Sequence, residues 1–309
     1  STDQIGRLTN HSGCGNDLNC ESQPARKLVM DSVKYLVQTF DIDGFRFDLG
    51  ELIGVELLRE METELREIKP GIILIAEPWS FRGRLPLEMS ETGYSLWSDS
   101  CREGILEYVK KGCPDPRVAL DLLQSRLDQE NKHPWQSVNY LESHDDYAFV
   151  DRLCKASEWK EGKPPAGMEE KARLAIGLVL FSPGIPMLSA GQDFLRGKKG
   201  VRNTYLRGDL NALDYSAASQ FREFQQWIRK LIKFRLSSEG RFLRPEKLDD
   251  FAYEEILPEA GGAFGLVIRE RKSSVSWLIF VNPTDSYLDS APPSFPDLAQ
   301  AKLLFGKKT

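Results

Sequence analysis

The chain has 309 residues, which at about 100–200 residues per domain is one large unit with a smaller companion, or two of medium size, and excludes a minidomain. Hydrophobic residues make up 41% and charged residues 28%, ordinary globular usage that excludes wholesale disorder. Lys and Arg total 41 against 46 Asp and Glu, so the net charge is −5; this argues against a nucleic-acid surface and leaves an uncharged ligand open.

Pro24 opens a helical pattern, with Leu28, Val29, Val33, Leu36, Val37 and Phe40 at spacings of three and four, and Asp43-Gly44 closes it. GFRFDLG follows as a short strand. A helix is expected over Glu51–Ile68, with Leu52, Val55, Leu58, Met61 and Leu65 on one stripe, stopped by Pro70-Gly71. IILIAE is an apolar run of the kind buried on both faces of a parallel sheet. A weak strand around Tyr94–Trp97, a helix over Ser100–Lys110, the strand SVNYLE, a helix over Met168–Phe181, the strand IPMLSA and an amphipathic helix over Ser219–Leu236 complete this stretch. Strand and helix alternate as in parallel βα units. After Ser237 the pattern changes: FAYEEIL, AFGLVIRER and SVSWLIFVN are β-rich runs punctuated by Gly, Pro and Asp. The expected organisation is α/β over residues 1–236 and a small all-β domain over residues 237–309.

No apolar run reaches the roughly 18 residues of a membrane-spanning helix, so no membrane partner is expected. The five cysteines, Cys14, Cys20, Cys101, Cys113 and Cys154, are odd in number and widely spaced, which reads as reduced thiols in a cytoplasmic setting. Cys14, Cys20 and His11 lack the second Cys–His pair that a structural zinc site needs, so no metal ligands are assigned.

Three acidic residues stand at or just after the ends of three expected parallel strands: Asp48 in GFRFDLG, Glu77 in IAEPW and Asp145 in ESHDD. In a parallel barrel such strand ends open on one face. Each has a plainer explanation. Asp48 could cap the following helix, Glu77 could pair with an Arg, and Asp145 could begin a turn with Asp146. Jointly these are weaker, because a carboxylate after a buried apolar strand needs a partner or a purpose. Arg46 lies two residues before Asp48, hence on the same face of its strand. His144 adjoins Asp145.

The segments GFRFD, IAEPW and NYLESHDD, in this order, resemble the second, third and fourth conserved regions of the α-amylase superfamily, glycoside hydrolase family 13. NHSGCGND resembles a loop of the isoamylase and pullulanase debranching group; AEPW is similar to the isoamylase form, and AGQDFLRGKKGVRNTY and GDLNALDY to the pullulanase form. The resemblance covers roughly residues 9 to 236. It implies a (β/α)8 TIM barrel, of which about strands 4–8 lie in this chain, followed by a small antiparallel β-sandwich domain. It makes Asp48 the nucleophile, Glu77 the general acid and then base, and Asp145 a stabiliser of the distorted sugar. Arg46 would orient the nucleophile, His144 would bond sugar hydroxyls, and Trp79 would offer a stacking face. Arg46 would keep Asp48 ionised, and neighbouring negative charge would raise the pKa of Glu77.

The first conserved region of that family, D-x-x-x-N-H, is absent, and Asp146 stands where many relatives have Asn. The chain is therefore expected to need an N-terminal portion of the same enzyme and to be inactive alone. The implied activity is that of a retaining glycosidase on α-glucans (starch, glycogen, pullulan), hydrolysing α-1,6 branch linkages. An α-1,4-acting amylase or a glucanotransferase stays open, as does a non-catalytic glucan-binding subunit. No cofactor is required by this chemistry; a structural calcium is compatible with such folds, although no Ca-loop spacing occurs.

Overall fold

The computed structural model describes residues 1–111, 115–128, 131–159, 164–257 and 262–284. Cys113 and the last part of the expected β domain, 285–309, lie outside the described residues. The elements run α1 (Gln23–Phe40), β1 (Gly44–Phe47), α2 (Gly50–Ile53), α3 (Val55–Ile68), β2 (Ile73–Ala76), β3 (Ser95–Ser98), α4 (Asp99–Lys111), α5 (Arg117–Leu123) and β4 (Ser137–Tyr140). They continue through α6 (Phe149–Leu153), α7 (Met168–Phe181), β5 (Ile185–Met187), α8 (Gly208–Asn211), α9 (Tyr215–Ala218) and α10 (Arg222–Leu236) to β6 (Phe251–Ile256), β7 (Phe264–Glu270) and β8 (Ser276–Val281).

Strands β1 to β5 form one parallel sheet in the order β1-β2-β3-β4-β5, and β6-β7-β8 form a separate antiparallel sheet. Side chains alternate across each strand, which gives the parallel sheet two different faces. Leu74 and Ala76 of β2 join Phe47, the α1 residues Met30, Val33 and Val37, and the α3 residues Leu57, Leu58, Met61 and Leu65 in a core between sheet and helices. Ile75 faces the other way, into a cluster of Trp97, Val138, Tyr140, Ile185 and Met187 on the sheet's second face. A parallel sheet with helices on one face and interior side chains on the other fits part of a (β/α)8 barrel. The antiparallel sheet is not free-standing. Phe251, Phe264, Leu266 and Ile268 share a core with Ile105 of α4, Ile176 of α7 and Phe224 and Ile228 of α10.

Two expected helices differ in detail. The single helix expected over Glu51–Ile68 is two, because Gly54 sits at φ +86°, in the left-handed region that glycine enters without cost. The last long helix begins at Arg222 instead of Ser219, since Phe221, buried and non-helical, forms its N-cap. Helices α5 and α6, 7 and 5 residues long, give too few turns for a periodic signal and were not anticipated.

Arg235 on α10 closes the barrel part from outside. It is buried, and its guanidinium donates to the carbonyl oxygens of Leu180 (2.8 Å), Ser182 (2.7 Å) and Gly184 (2.6 Å), serving the end of α7 and the turn into β5. Buried carbonyls without a donor are costly. Arg235→Met should lower the unfolding free energy by about 3 kcal/mol in urea titration; a loss below about 0.5 kcal/mol, the scale of a surface substitution, would contradict this structural role.

Candidate active site

The site lies at the carboxyl ends of β1, β2 and β4. The register pairs Phe47 of β1 with Ala76 of β2, so the residues that follow, Asp48 and Glu77, leave the sheet side by side. The backbone fixes them further. Glu77 donates its N–H to the Phe47 carbonyl at 2.9 Å, and its own carbonyl accepts from Gly50 N–H at 2.9 Å. A Cβ on Gly50 would lie 2.9 Å from that carbonyl oxygen, so only glycine permits this close approach. Leu49 adopts φ +45°, which aims its N–H at Glu77 Oε2, 2.8 Å away. Leu49, not Asp48, is therefore the N-cap of α2, and the capping explanation for Asp48 does not hold.

Arg46 lies on the same face. Its Nη1 forms an ion pair with Asp48 Oδ1. Its Nη2 is 3.2 Å from Glu77 Oε2 without the alignment of a hydrogen bond. The guanidinium rests 4.3 Å from the centroid of Trp97, contributed by β3. Stacked on an aromatic face and tied to a carboxylate, it has little freedom. Trp97 was not anticipated as a site residue; the weak strand signal around Tyr94–Trp97 places it on a strand, but its position under Arg46 follows only from the order of the sheet.

The two carboxylates meet different surroundings. The Asp48 side chain is 67% exposed, that of Glu77 only 5%. Burial pushes the Glu77 carboxyl above its usual range; the Leu49 N–H and Arg46 oppose the shift, while Asp48 and Asp145 add to it. Neighbouring negative charge alone was the cause expected from the sequence. The leading cause is burial, with charge second. That both Asp48 and Asp145 act on Glu77 places all three carboxylates around one region.

Asp145 lies on the loop after β4, five positions past Tyr140. Its carboxylate is 3.5 Å from His144 Nε2, and the His144 ring stands edge-on to Trp97 with centroids 6.2 Å apart. Asp146, at φ +58°, is paired through its carboxylate with Arg202 at 2.8 Å. The extra negative charge noticed in the sequence is thus turned to the loop after β5.

Trp79 follows β2 and is half-buried beside Trp97 and Tyr140, so part of it does pack in the interior. Its loop is stiff: Ser80 and Arg82 both bond Glu51 of α2, the Arg82 contact at 2.8 Å, and Arg84 pairs with both oxygens of Asp99 at 2.8 and 3.0 Å. The GCGND loop leans on the same segment, with Phe81 N–H donating to the His11 carbonyl at 3.1 Å. Inside that loop Asp17 is buried, which raises its carboxyl, but hydrogen bonds from His11 and Ser12 prevail and hold it well below the usual range. His11 is thus engaged by a carboxylate, and among the described residues no group of three or more metal-ligating side chains occurs.

The chain is similar to curated debranching enzymes. A pullulanase of Bacillus subtilis is 29% identical over 256 residues, covering 75% of this chain and 35% of the relative. An isoamylase of a Flavobacterium species is 25% identical over 274 residues, covering 73% of this chain and 35% of the relative. The solved pullulanase from Paenibacillus barengoltzii, in complex with maltohexaose and α-cyclodextrin, superposes with a TM-score of 0.76 at 26% identity, covering 87% of this chain and 45% of that one. No family model matches. The chain is thus homologous to curated enzymes named pullulanase, isoamylase and glycogen debranching enzyme. It spans between about a third and a half of the length of the curated relatives it matches.

The raised pKa of Glu77 has a stability consequence. The folded state holds this proton more tightly than the unfolded chain, so its stabilising share is complete below the ordinary carboxylate range and is lost as pH rises through the elevated value. Glu77→Gln should raise the thermal midpoint at pH 7, with the gain fading as pH falls toward the ordinary glutamate pKa. A midpoint unchanged or lowered at pH 7 would remove the case for a strained buried carboxyl.

Proposed function

We propose that this chain supplies the catalytic face of a retaining α-glucan hydrolase that cuts α-1,6 branch linkages. The observation that carries this reading is the environment of Glu77: a buried carboxyl biased toward its protonated form, beside an exposed Asp48 ion-paired with Arg46. A retaining glycosidase needs such a difference, one carboxylate free to attack the anomeric carbon and one acid ready to protonate the leaving oxygen. The roles follow from the surroundings. Asp48, oriented by Arg46, attacks and forms a glycosyl ester, while Glu77 donates its proton to the leaving sugar. Glu77, now a carboxylate, then deprotonates the water that hydrolyses the ester, which returns both groups to their starting state. Asp145, with His144 beside it, bonds hydroxyls of the reacting sugar as positive charge develops on the ring. Trp79 gives the apolar face of a pyranose a half-exposed indole on a rigid loop. No cofactor enters this scheme.

Support for an α-glucan comes from the relatives: two carry the names pullulanase and isoamylase, and the Paenibacillus enzyme was solved with maltohexaose and α-cyclodextrin. The α-1,6 linkage rests on those names. An N-terminal portion of the same enzyme is proposed to complete the barrel. This rests on β1 being an edge of a five-stranded parallel sheet and on α1 presenting Leu28, Tyr35 and Phe40, each more than half exposed, away from the core. The 309-residue chain alone is then expected to be inactive.

The test is hydrolysis of pullulan, amylopectin and amylose by the native polypeptide that carries this sequence. Pullulan should be cut at its α-1,6 bonds and amylopectin debranched, and Asp48→Asn and Glu77→Gln should each lower kcat by about 10³-fold or more. Cleavage of amylose alone would replace the debranching assignment with an α-1,4 one. Full activity in either variant would remove the two-carboxylate mechanism.

A further inference from the structure

The segment AGQDFLRGKKGVRNTY, after β5, is a motif that the proposed chemistry leaves unused. In the fold it runs behind the loop that carries His144, Asp145 and Asp146. Lys198 is 1% exposed, an unusual burial for an ammonium group. Its Nζ donates to the carbonyl of His144 at 2.9 Å and to that of Asp146 at 3.3 Å. These carbonyls lie on either side of the Asp145 residue. The Lys198 backbone is itself tied down, its N–H donating to Asp151 Oδ2 at 2.5 Å.

Asn203 grips the same loop from the other end of the segment. Its Oδ1 accepts from Asp146 N–H at 2.7 Å, and its own N–H donates to the Asp146 carbonyl at 3.2 Å. Asp146 and Asn203 both adopt left-handed backbone, at φ +58° and φ +49°. Such conformations are strained for residues other than glycine and persist only where surrounding contacts over-determine them. A buried ammonium is likewise costly without compensation. Burial depresses the Lys198 pKa, the Arg196 charge adds to the effect, and Glu142, Asp145 and Asp151 oppose it. Two costly features thus coincide at one loop, and the carboxylate between them belongs to one of the two aspartates whose charge acts on Glu77.

We propose that Lys198 is the positioning residue for Asp145: together with Asn203 it fixes the backbone on both sides of that carboxylate, and so sets where its side chain stands relative to Glu77. The catalytic consequence rests on the glycosidase reading above; the positional one does not. Misplacing a reacting group by about 1 Å can cost about 10²-fold in rate.

The experiment has two arms, with Lys198→Met and Asn203→Ala. In the full chain, amide exchange at Asp145, Asp146 and Tyr147 is expected to quicken by at least about tenfold in both variants, while exchange in β2 and β3 stays unchanged. In the native polypeptide acting on branched glucan, kcat is expected to fall about 10- to 100-fold with KM within about twofold, the sign of an interaction needed in the transition state. Unchanged exchange in folded Lys198→Met protein overturns the proposal. A uniform rise across the sheet, which a merely structural role would give, also overturns it, as does a loosened loop with unaltered kcat. Should Lys198→Met fail to fold, Asn203→Ala is read by the same criteria. Absence of turnover in the wild type would refute the glycosidase reading, and the exchange arm would still decide whether Lys198 holds the loop.

Discussion

A carboxyl group at the end of a buried parallel strand has few ways to exist, and the local structure around Glu77 follows from supplying one of them. The Leu49 N–H and the Arg46 guanidinium stabilise its charged form; burial and two nearby aspartates oppose it, and the opposition prevails. The left-handed turn at Leu49, the glycine at position 50 and the stacking of Arg46 on Trp97 are all arrangements that keep this balance in place. Of these, the left-handed backbone at Leu49 would be a defect in a protein selected for stability alone.

The rest of the barrel part holds the ends of β1, β2 and β4 at fixed separations. Helices α1 and α3 pin β1 and β2 through one apolar core, while α4, α5, α7 and α10 hold Leu141 after β4 and Leu188 after β5 in another. The second core extends into the antiparallel sheet. Tyr108 on α4 donates to the Gly262 carbonyl at 2.8 Å, and Glu255 on β6 accepts from Arg117 and Gln124 at 2.7 and 2.8 Å. The β-rich region after Ser237 thus acts as a buttress on the outer helices, far in sequence from the residues it steadies.

Much of this was legible in the sequence, for identifiable reasons. Leu58, Met61 and Leu65 recur at helical spacing because one face of α3 is buried. The run IILIA is apolar because Ile72, Leu74 and Ala76 enter the core under the helices and Ile75 enters the cluster on the other face, although Ile73 at the strand's start is exposed. Asp48, Glu77 and Asp145 stood out because carboxylates rarely follow such strands without cause. What stayed hidden depends on contacts distant in sequence. That Trp97 would lie under Arg46 requires the order of the sheet, and that Lys198 would reach the carbonyls on both sides of Asp145 requires the path of the loop after β5. The break at Gly54 was visible as a glycine inside a helical pattern, but a lone glycine there is as often tolerated as not. The cause of the Glu77 shift was misjudged because charge can be counted along a sequence and burial cannot.

The balance at Glu77 is open to direct observation in the full chain, with or without turnover. In a pH titration of side-chain carboxyl carbons by NMR, with the Glu77 resonance identified by its loss in Glu77→Gln, this group should titrate above the ordinary glutamate range, and Arg46→Met should move it higher still. Titration at or below the ordinary value, or a downward movement in Arg46→Met, would contradict the account.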